Sequence, residues 1–242
     1  MLTTPLTKSQ SLWQGARDTF PMMVSAAPFG LIFGLQAVSA SVGLSLWATL
    51  GMSLWVFAGS SQFIALTLLA QGATLPVIIL TTFVVNARHA LYAASLVPYL
   101  RGVNWRWIAP LAFWLTDETY ATVIHRWNAD DMQYKVWYQL GSSLAMYINW
   151  FAWTALGALA GARFAQAANW GLDFAMVVVF IGIVVPMLTR WPMVACGIVA
   201  GVVGVLANGL PYNLGLLIAA SAGILTGIAV EGLGTDKGGN EG

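Results

Sequence analysis

The sequence predicts an all-α integral membrane protein of about eight transmembrane helices, and three observations carry that reading. Only 8% of the 242 residues are Asp, Glu, Lys or Arg, while 59% are apolar; soluble domains carry about 25% charged residues. Mean hydropathy is +0.76. Long apolar runs recur from Phe20 to Val230, separated by short polar breaks. A helix needs about 20 apolar residues to cross a hydrocarbon core about 30 Å thick, and the chain holds about eight such runs.

Residues 1–19 read as a polar N-terminal segment, 20–230 as one polytopic transporter-like domain, and 231–242 as a flexible tail of Gly-rich composition. Span one, Phe20–Ala40, carries Pro28, which kinks a helix by removing a backbone donor. It also carries Gly30 and Gly34, spaced for close helix approach. Its proline and two glycines, its late start and the spans that follow favour a retained helix over a cleaved signal. Span two, Leu44–Ala70, is interrupted by Gly59-Ser60-Ser61-Gln62, so at least one helix is expected to be kinked or discontinuous. Span three, Thr74–Tyr99, contains Asn86-Ala87-Arg88-His89, and span four, Trp107–Ile124, contains Thr116-Asp117-Glu118-Thr119. The stretch His125–Lys135 is the most polar and reads as a solvated loop. Spans five to eight follow at Val136–Ala162, Phe174–Leu188, Met193–Leu206 and Leu214–Val230. A division near residue 135 leaves about four spans in each half, as pseudo-symmetric inverted repeats do.

Lys and Arg in the loops orient the protein. Eight crossings with the N-terminus inside place Lys8, Arg17, Arg126, Lys135, Arg190 and Lys237 inside, and Arg101, Arg106 and Arg163 outside. A single re-entrant hairpin at span two flips every later loop and gives a poorer division. Eight crossings are therefore expected. Trp47, Trp105, Trp107, Trp127, Trp137, Trp170 and Trp191 fall near span ends, where amphipathic rings settle.

Several function classes find no support. No basic stripe points to nucleic acid. Cys196 stands alone in an apolar run, and Gly157/Gly161, Gly197/Gly201 and Gly223/Gly227 read as packing signals. No P-loop, GxSxG or HExxH occurs, and two histidines are too few for a typical metal site. No cofactor and no enzymatic activity are expected.

Chemistry is expected where charges enter apolar runs. An ionic side chain near a bilayer centre costs about 2.5–3.5 kcal/mol on insertion scales, so such groups need partners. Arg88 keeps its proton and must meet a counter-charge, a carbonyl or water. His89 changes charge near neutral pH. On a helix Arg88 shares a face with Tyr92, and Asn86 with His89. Asp117 and Glu118 point about 100° apart, so one can pair with Arg88 while the other carries a proton. Small and hydroxyl residues at Gly59–Gln62 can unwind a helix and free backbone amides for a carboxylate. A static brace between helices, a solvated helix end and a small-residue seam are the corresponding structural readings of the three clusters.

Ala58-Gly59-Ser60-Ser61-Gln62-Phe63, Asn86-Ala87-Arg88-His89 with Leu91-Tyr92, and Leu115-Thr116-Asp117-Glu118-Thr119-Tyr120, with Pro28-Phe29-Gly30 before them, resemble the AzlC family over roughly residues 15–230. These are the large subunits of bacterial branched-chain amino acid exporters. The resemblance implies a multi-pass secondary transporter of the bacterial inner membrane, with its N-terminus cytoplasmic, driven by the proton gradient. It further implies a small AzlD-like hydrophobic membrane subunit as partner, and valine, leucine, isoleucine and methionine as substrates. Joined to the residue reading, the substrate carboxylate meets Arg88 or the amides near Ser60, Ser61 and Gln62, and its ammonium meets Asp117 or Glu118. Its side chain fills an apolar pocket of Phe29, Phe33 and Phe63. Glu118 or His89 couples protons, and Asn86, Tyr92, Thr116 and Thr119 support the site. A passive channel component and a non-transporting membrane scaffold or sensor remain the alternatives.

Overall fold

A computed structural model of the chain describes residues 6–129, 134–163, 188–210 and 214–235, with two isolated positions at 181 and 185. Span six, expected at 174–188, lies almost wholly outside these residues. Among the described residues every regular element is helical. They form two compact units, the first of residues 1–70 and 82–170, the second of residues 71–81 and 171–242.

In the first unit, α1 (Lys8–Asp18) and α2 (Phe20–Ala37) run alongside the long α9 (Lys135–Arg163). A capping box at Thr7 and Gln10 starts α1, satisfying two backbone donors that a helix start leaves free. Glycines let the backbones touch. A Cβ on Gly15 would strike the Tyr138 carbonyl, one on Gly141 the Leu12 carbonyl, one on Gly34 the Thr154 carbonyl and one on Gly157 the Leu31 carbonyl. The polar residues of this seam pair with each other: Thr19 Oγ1 donates to Ser142 Oγ at 2.6 Å and Asn149 Nδ2 to the Met23 carbonyl at 3.0 Å. Contacts therefore climb both elements together, from Leu12 with Gly141 to Gly34 with Thr154, so α1–α2 and α9 are parallel.

Two helical hairpins dip toward the middle of α9 from opposite ends. The first is α3 (Leu46–Trp55) and α4 (Gly59–Ala70). Its tip, Phe57, packs edge-on against Tyr147 with ring centroids 4.8 Å apart, and Tyr147 Oη donates to the Leu54 carbonyl at 2.8 Å. From that tip α4 turns back beside α3. Gln62 Nε2 donates to Ser53 Oγ at 3.0 Å, Ser53 Oγ to Thr154 Oγ1 at 3.0 Å, and Phe63 meets Phe33 edge-on at 5.8 Å. The reversal forces Phe57 into the left-handed region at φ 41°, which a bulky residue adopts only under surrounding constraint.

The second hairpin is α7 (Trp105–Phe113) and α8 (Asp117–Ala129). It enters at the Lys135 end, where Trp107 lies 5.3 Å from Trp137, and rises until Trp114 lies 5.8 Å from Tyr147. It then descends, so that Val123, Trp127 and Tyr138 share one buried cluster. Between the hairpins run the last residues of α5 (Leu75–Asn86), from Thr82 onward, and α6 (Arg88–Leu96), one span broken at Ala87. It ends in a 3₁₀ turn, Val97–Leu100, where Tyr99 lies 5.7 Å from Trp127 and from the Lys135 ammonium.

Helices α2 (18 residues) and α5–α6 (Leu75–Leu100, 26 residues) are long and apolar enough to cross a bilayer. The hairpin arms are not: nine to thirteen residues at 1.5 Å each reach about half of a 30 Å core. Spans two and four, expected to cross, thus fold back, because each apolar run contains two short helices and a reversal. The eight-crossing count loses these two runs. Helix α8 also carries His125–Ala129, expected as loop, while 130–133 lie outside the described residues.

The reversals sort the charges. Lys8, Arg17, Arg101, Arg106, Arg126 and Lys135 gather at the Lys135 end of the first unit, and Arg163 alone marks the other. One hairpin by itself would have worsened the charge asymmetry; two opposed ones sharpen it. With Cys196→Ala as background, Ser41→Cys and Val103→Cys should label from opposite faces of sealed inner-membrane vesicles. Labelling of both from one face would restore the eight-crossing arrangement.

The second unit contains α10 (Trp191–Leu206) and α11 (Leu214–Thr235), which pack side by side. A Cβ on Gly223 would approach the Ala200 Cβ at 2.9 Å and the Cys196 carbonyl at 3.1 Å, so Cys196 is a packing residue. Gly201 has open space beside it and Gly197 meets only the Leu188 side chain, at 3.5 Å, so Ala200 and Cys196 rather than that glycine pair form the seam. The Arg190–Glu231 pair, 3.6 Å apart and well exposed, adds little. Helix α11 runs to Thr235, five residues into the expected tail.

Candidate functional site

The two reversals and the α5/α6 break bring the predicted charges together. Arg88 opens α6. Its Nη2 donates to Ser60 Oγ on the first turn of α4 at 2.6 Å, and its Nε lies 3.1 Å from Asp117 Oδ1 on the first turn of α8. The facing atoms Nε and Oδ1 are shielded from solvent and meet as an ion pair without hydrogen-bond alignment. The side chains as wholes stay 30% and 43% exposed, so the site is open on one flank. Next to it Ser61 Oγ donates to Asn86 Oδ1 at 2.6 Å. One guanidinium thus ties the first hairpin to the second, and Asn86 adds a parallel tie across the helix break.

The break also explains His89. With the helix interrupted at Ala87, the Asn86 carbonyl takes His89 Nδ1 at 3.0 Å. The first turn of α8 is capped by Thr116, whose Oγ1 accepts the Thr119 N–H at 3.3 Å and pairs with Thr119 Oγ1 at 3.3 Å. Asp117 and Glu118 occupy the positive end of the helix dipole, a favourable place for carboxylates. They diverge as the 100° step requires. Asp117 faces Arg88, whereas Glu118 turns back to the Thr116 hydroxyl and its own amide. Of the two partners open to Arg88 in sequence, the structure pairs Asp117.

Toward the Lys135 end an aromatic layer lies under the ion pair. Tyr92 comes within reach of Asp117, meets His89 edge-on at 5.8 Å and stacks on Tyr120 at 4.5 Å, and the Tyr120 hydroxyl shares a 2.9 Å hydrogen bond with Ser95.

Other predicted residues lie apart from the pair. Gln62 is fully buried and bound at both ends of its amide, giving Nε2 to Ser53 and accepting Trp150 Nε1 at 3.1 Å. It anchors α4 to α3 and α9. Phe33 and Phe63 are fully buried against one another, with Trp150 stacked on Phe33 at 6.2 Å. Phe29 is half-buried one turn earlier on α2.

Ser53, Phe57, Ser95, Tyr147, Trp150 and Thr154 were not singled out in sequence. Gln62 signals only Ser53 and Trp150, because a buried amide demands partners, and nothing in the chain says which. Among the described residues no group of three His, Cys, Asp or Glu stands together to hold a metal.

Residues 21–164 match the family described as AzlC protein. That is more than half of the chain, and it takes in α2 to α9, with both hairpins and the ion pair. The chain belongs to the AzlC family. AzlC relatives align along most of their length. The Escherichia coli K12 inner membrane protein YgaZ is 27% identical over 227 residues, covering 92% of this chain and 90% of YgaZ. The Bacillus subtilis 168 branched-chain amino acid transport protein AzlC is 29% identical over 183 residues, covering 74% and 70%. An uncharacterized membrane protein of Archaeoglobus fulgidus is 30% identical over 223 residues, covering 91% and 95%. No solved structure matches this chain. Family and composition agree on a membrane protein of a transport-associated family.

Proposed function

We propose that this protein exports branched-chain amino acids across the bacterial inner membrane, coupled to the proton gradient and with a small AzlD-like subunit. The observation that carries the reading is the Arg88–Asp117 pair, held where two opposed hairpin tips and a helix break meet. Unwound backbone and charge at mid-depth are tolerated only where they line a cavity or are covered by protein. Half-helix N-termini at such a point suit a substrate carboxylate. A zwitterion matches the pair group for group: its carboxylate replaces Asp117 beside Arg88 and the α4 amides at Ser60 and Ser61, and its ammonium replaces Arg88 beside Asp117. Exchange of partners leaves no charge unpaired. The name of the Bacillus subtilis relative supports an apolar side chain on that zwitterion. The gathering of Lys and Arg at the Lys135 end supports a cytoplasmic N-terminus.

Cells loaded with an isoleucine dipeptide should release isoleucine faster with this chain than without it. Glu118 stands beside the pair but outside it, which suits a proton carrier. Glu118→Gln should leave counterflow of loaded leucine intact and remove its acceleration by a pH gradient; unchanged acceleration would take Glu118 out of the coupling. A second reading, a passive pore, is favoured by the face-to-face hairpins, since opposed half-helices also line channels. It requires flux indifferent to the gradient in the wild type.

A further inference from the structure

The first unit contains a cavity of about 220 Å³ that the ion-pair site does not use. It lies between the end of α6, α7 and α9 on the Lys135 side. Its walls are almost wholly apolar, with Leu96, Ile108, Leu111 and Leu115 among them. Two polar groups interrupt that lining. Arg101, exposed, stands at the rim. Gln139, 1% exposed, forms part of the wall. Its Nε2 is spent on the Leu111 carbonyl at 3.4 Å, while its Oε1 accepts nothing among the described residues. A buried carbonyl oxygen without a donor is costly, and the side chain that carries it forms part of the cavity wall.

We propose that this cavity is a second site for a neutral amino acid with an apolar side chain, a capture site on the Lys135 side of the transport pathway. It rests on the functional reading above. The complement is three-part. The Arg101 guanidinium takes the carboxylate at the rim, Gln139 Oε1 accepts from the ammonium, and the leucines and Ile108 enclose the side chain. Small-ligand sites have this composition, an apolar wall with a few convergent polar groups. Room for roughly seven water-sized groups is enough for a molecule of leucine's size. The cavity also adjoins the pathway. Leu96 and Leu115 belong both to its wall and to the buried cluster against which Tyr92 and Tyr120 pack. Tyr92 of that aromatic layer also comes within reach of Asp117.

Equilibrium binding of radiolabelled leucine to the full chain, purified with any membrane subunit that travels with it, tests the site. The wild type should show two separable classes of binding. Gln139→Leu, which removes the acceptor at nearly constant volume, and Ala112→Phe, which fills the cavity, should each remove one class. Asp117→Asn should remove the other. A single class, insensitive to Gln139→Leu and Ala112→Phe but lost in Asp117→Asn, overturns the cavity site and leaves the transport reading standing. Absence of leucine binding in the wild type overturns both. Stabilisation by phosphatidylglycerol vesicles that the cavity variants abolish, with leucine binding unchanged, would assign the space to a lipid chain and overturn the proposal.

Discussion

Arg88→Gln will reduce branched-chain amino acid export by about a hundredfold or more, equivalent to about 2.7 kcal/mol at the barrier. The guanidinium holds Ser60 and Asp117 at once, through Nη2 and Nε. Its loss unties the two hairpins and strands a carboxylate at mid-depth. Asp117→Asn strands the guanidinium instead. Breaking a buried pair from one side costs about 3–5 kcal/mol, and the partial exposure of both side chains here discounts that. Each single variant should therefore also lower the yield of folded protein. The double variant Arg88→Gln/Asp117→Asn should recover the yield, because no charge is left alone, without recovering export. Arg88→Lys should fall between, since a compact ammonium does not reproduce a fork that serves two partners. Export at the wild-type rate by Arg88→Gln would remove the pair from the transport site.

The largest effect on stability is expected from Gly157→Leu. A Cβ at this position collides with the Leu31 carbonyl, which is helix backbone and does not yield as a side-chain end would. Overpacking costs about 1–3 kcal/mol, and a backbone obstacle places this change at the upper end. In a chain of this size that lowers the melting midpoint by roughly 6–12 °C. Gly51 is the control. It sits inside α3 with open space beside it, so Gly51→Ala should be neutral or gain about 0.5–1 kcal/mol from reduced chain entropy. Equal melting curves for Gly157→Leu and the wild type would mean that α2 and α9 do not touch through that glycine.

The charge clusters were readable because lipid makes them so. Arg88, Asp117 and Glu118 each needed an explanation in an apolar run, and the pairing of Arg88 with a carboxylate on the next run follows from that need. The choice of Asp117 over Glu118 did not follow. It depends on the turn at which α8 begins, which points one acid at Arg88 and the other back at its own cap. The break in span two was suggested by Gly59–Gln62 and falls just before it, at Phe57, a residue with no conformational signal of its own. The breaks at Ala87 and at Trp114–Thr116 fall beside the charged clusters, whose charges carry no conformational signal.

Composition and charge placement alone pointed to a helical membrane protein and singled out Ser60–Ser61, Asn86–His89 and Asp117–Glu118 as the polar clusters in its apolar runs, because an unpaired charge in hydrocarbon is too costly to be incidental. Only the tertiary structure decided that two of the apolar runs turn back. A reversal needs one residue in an unusual backbone state and leaves hydropathy unchanged, so two half-length helices and one full crossing read alike until the contacts of Phe57 and Trp114 with Tyr147 show where each tip ends.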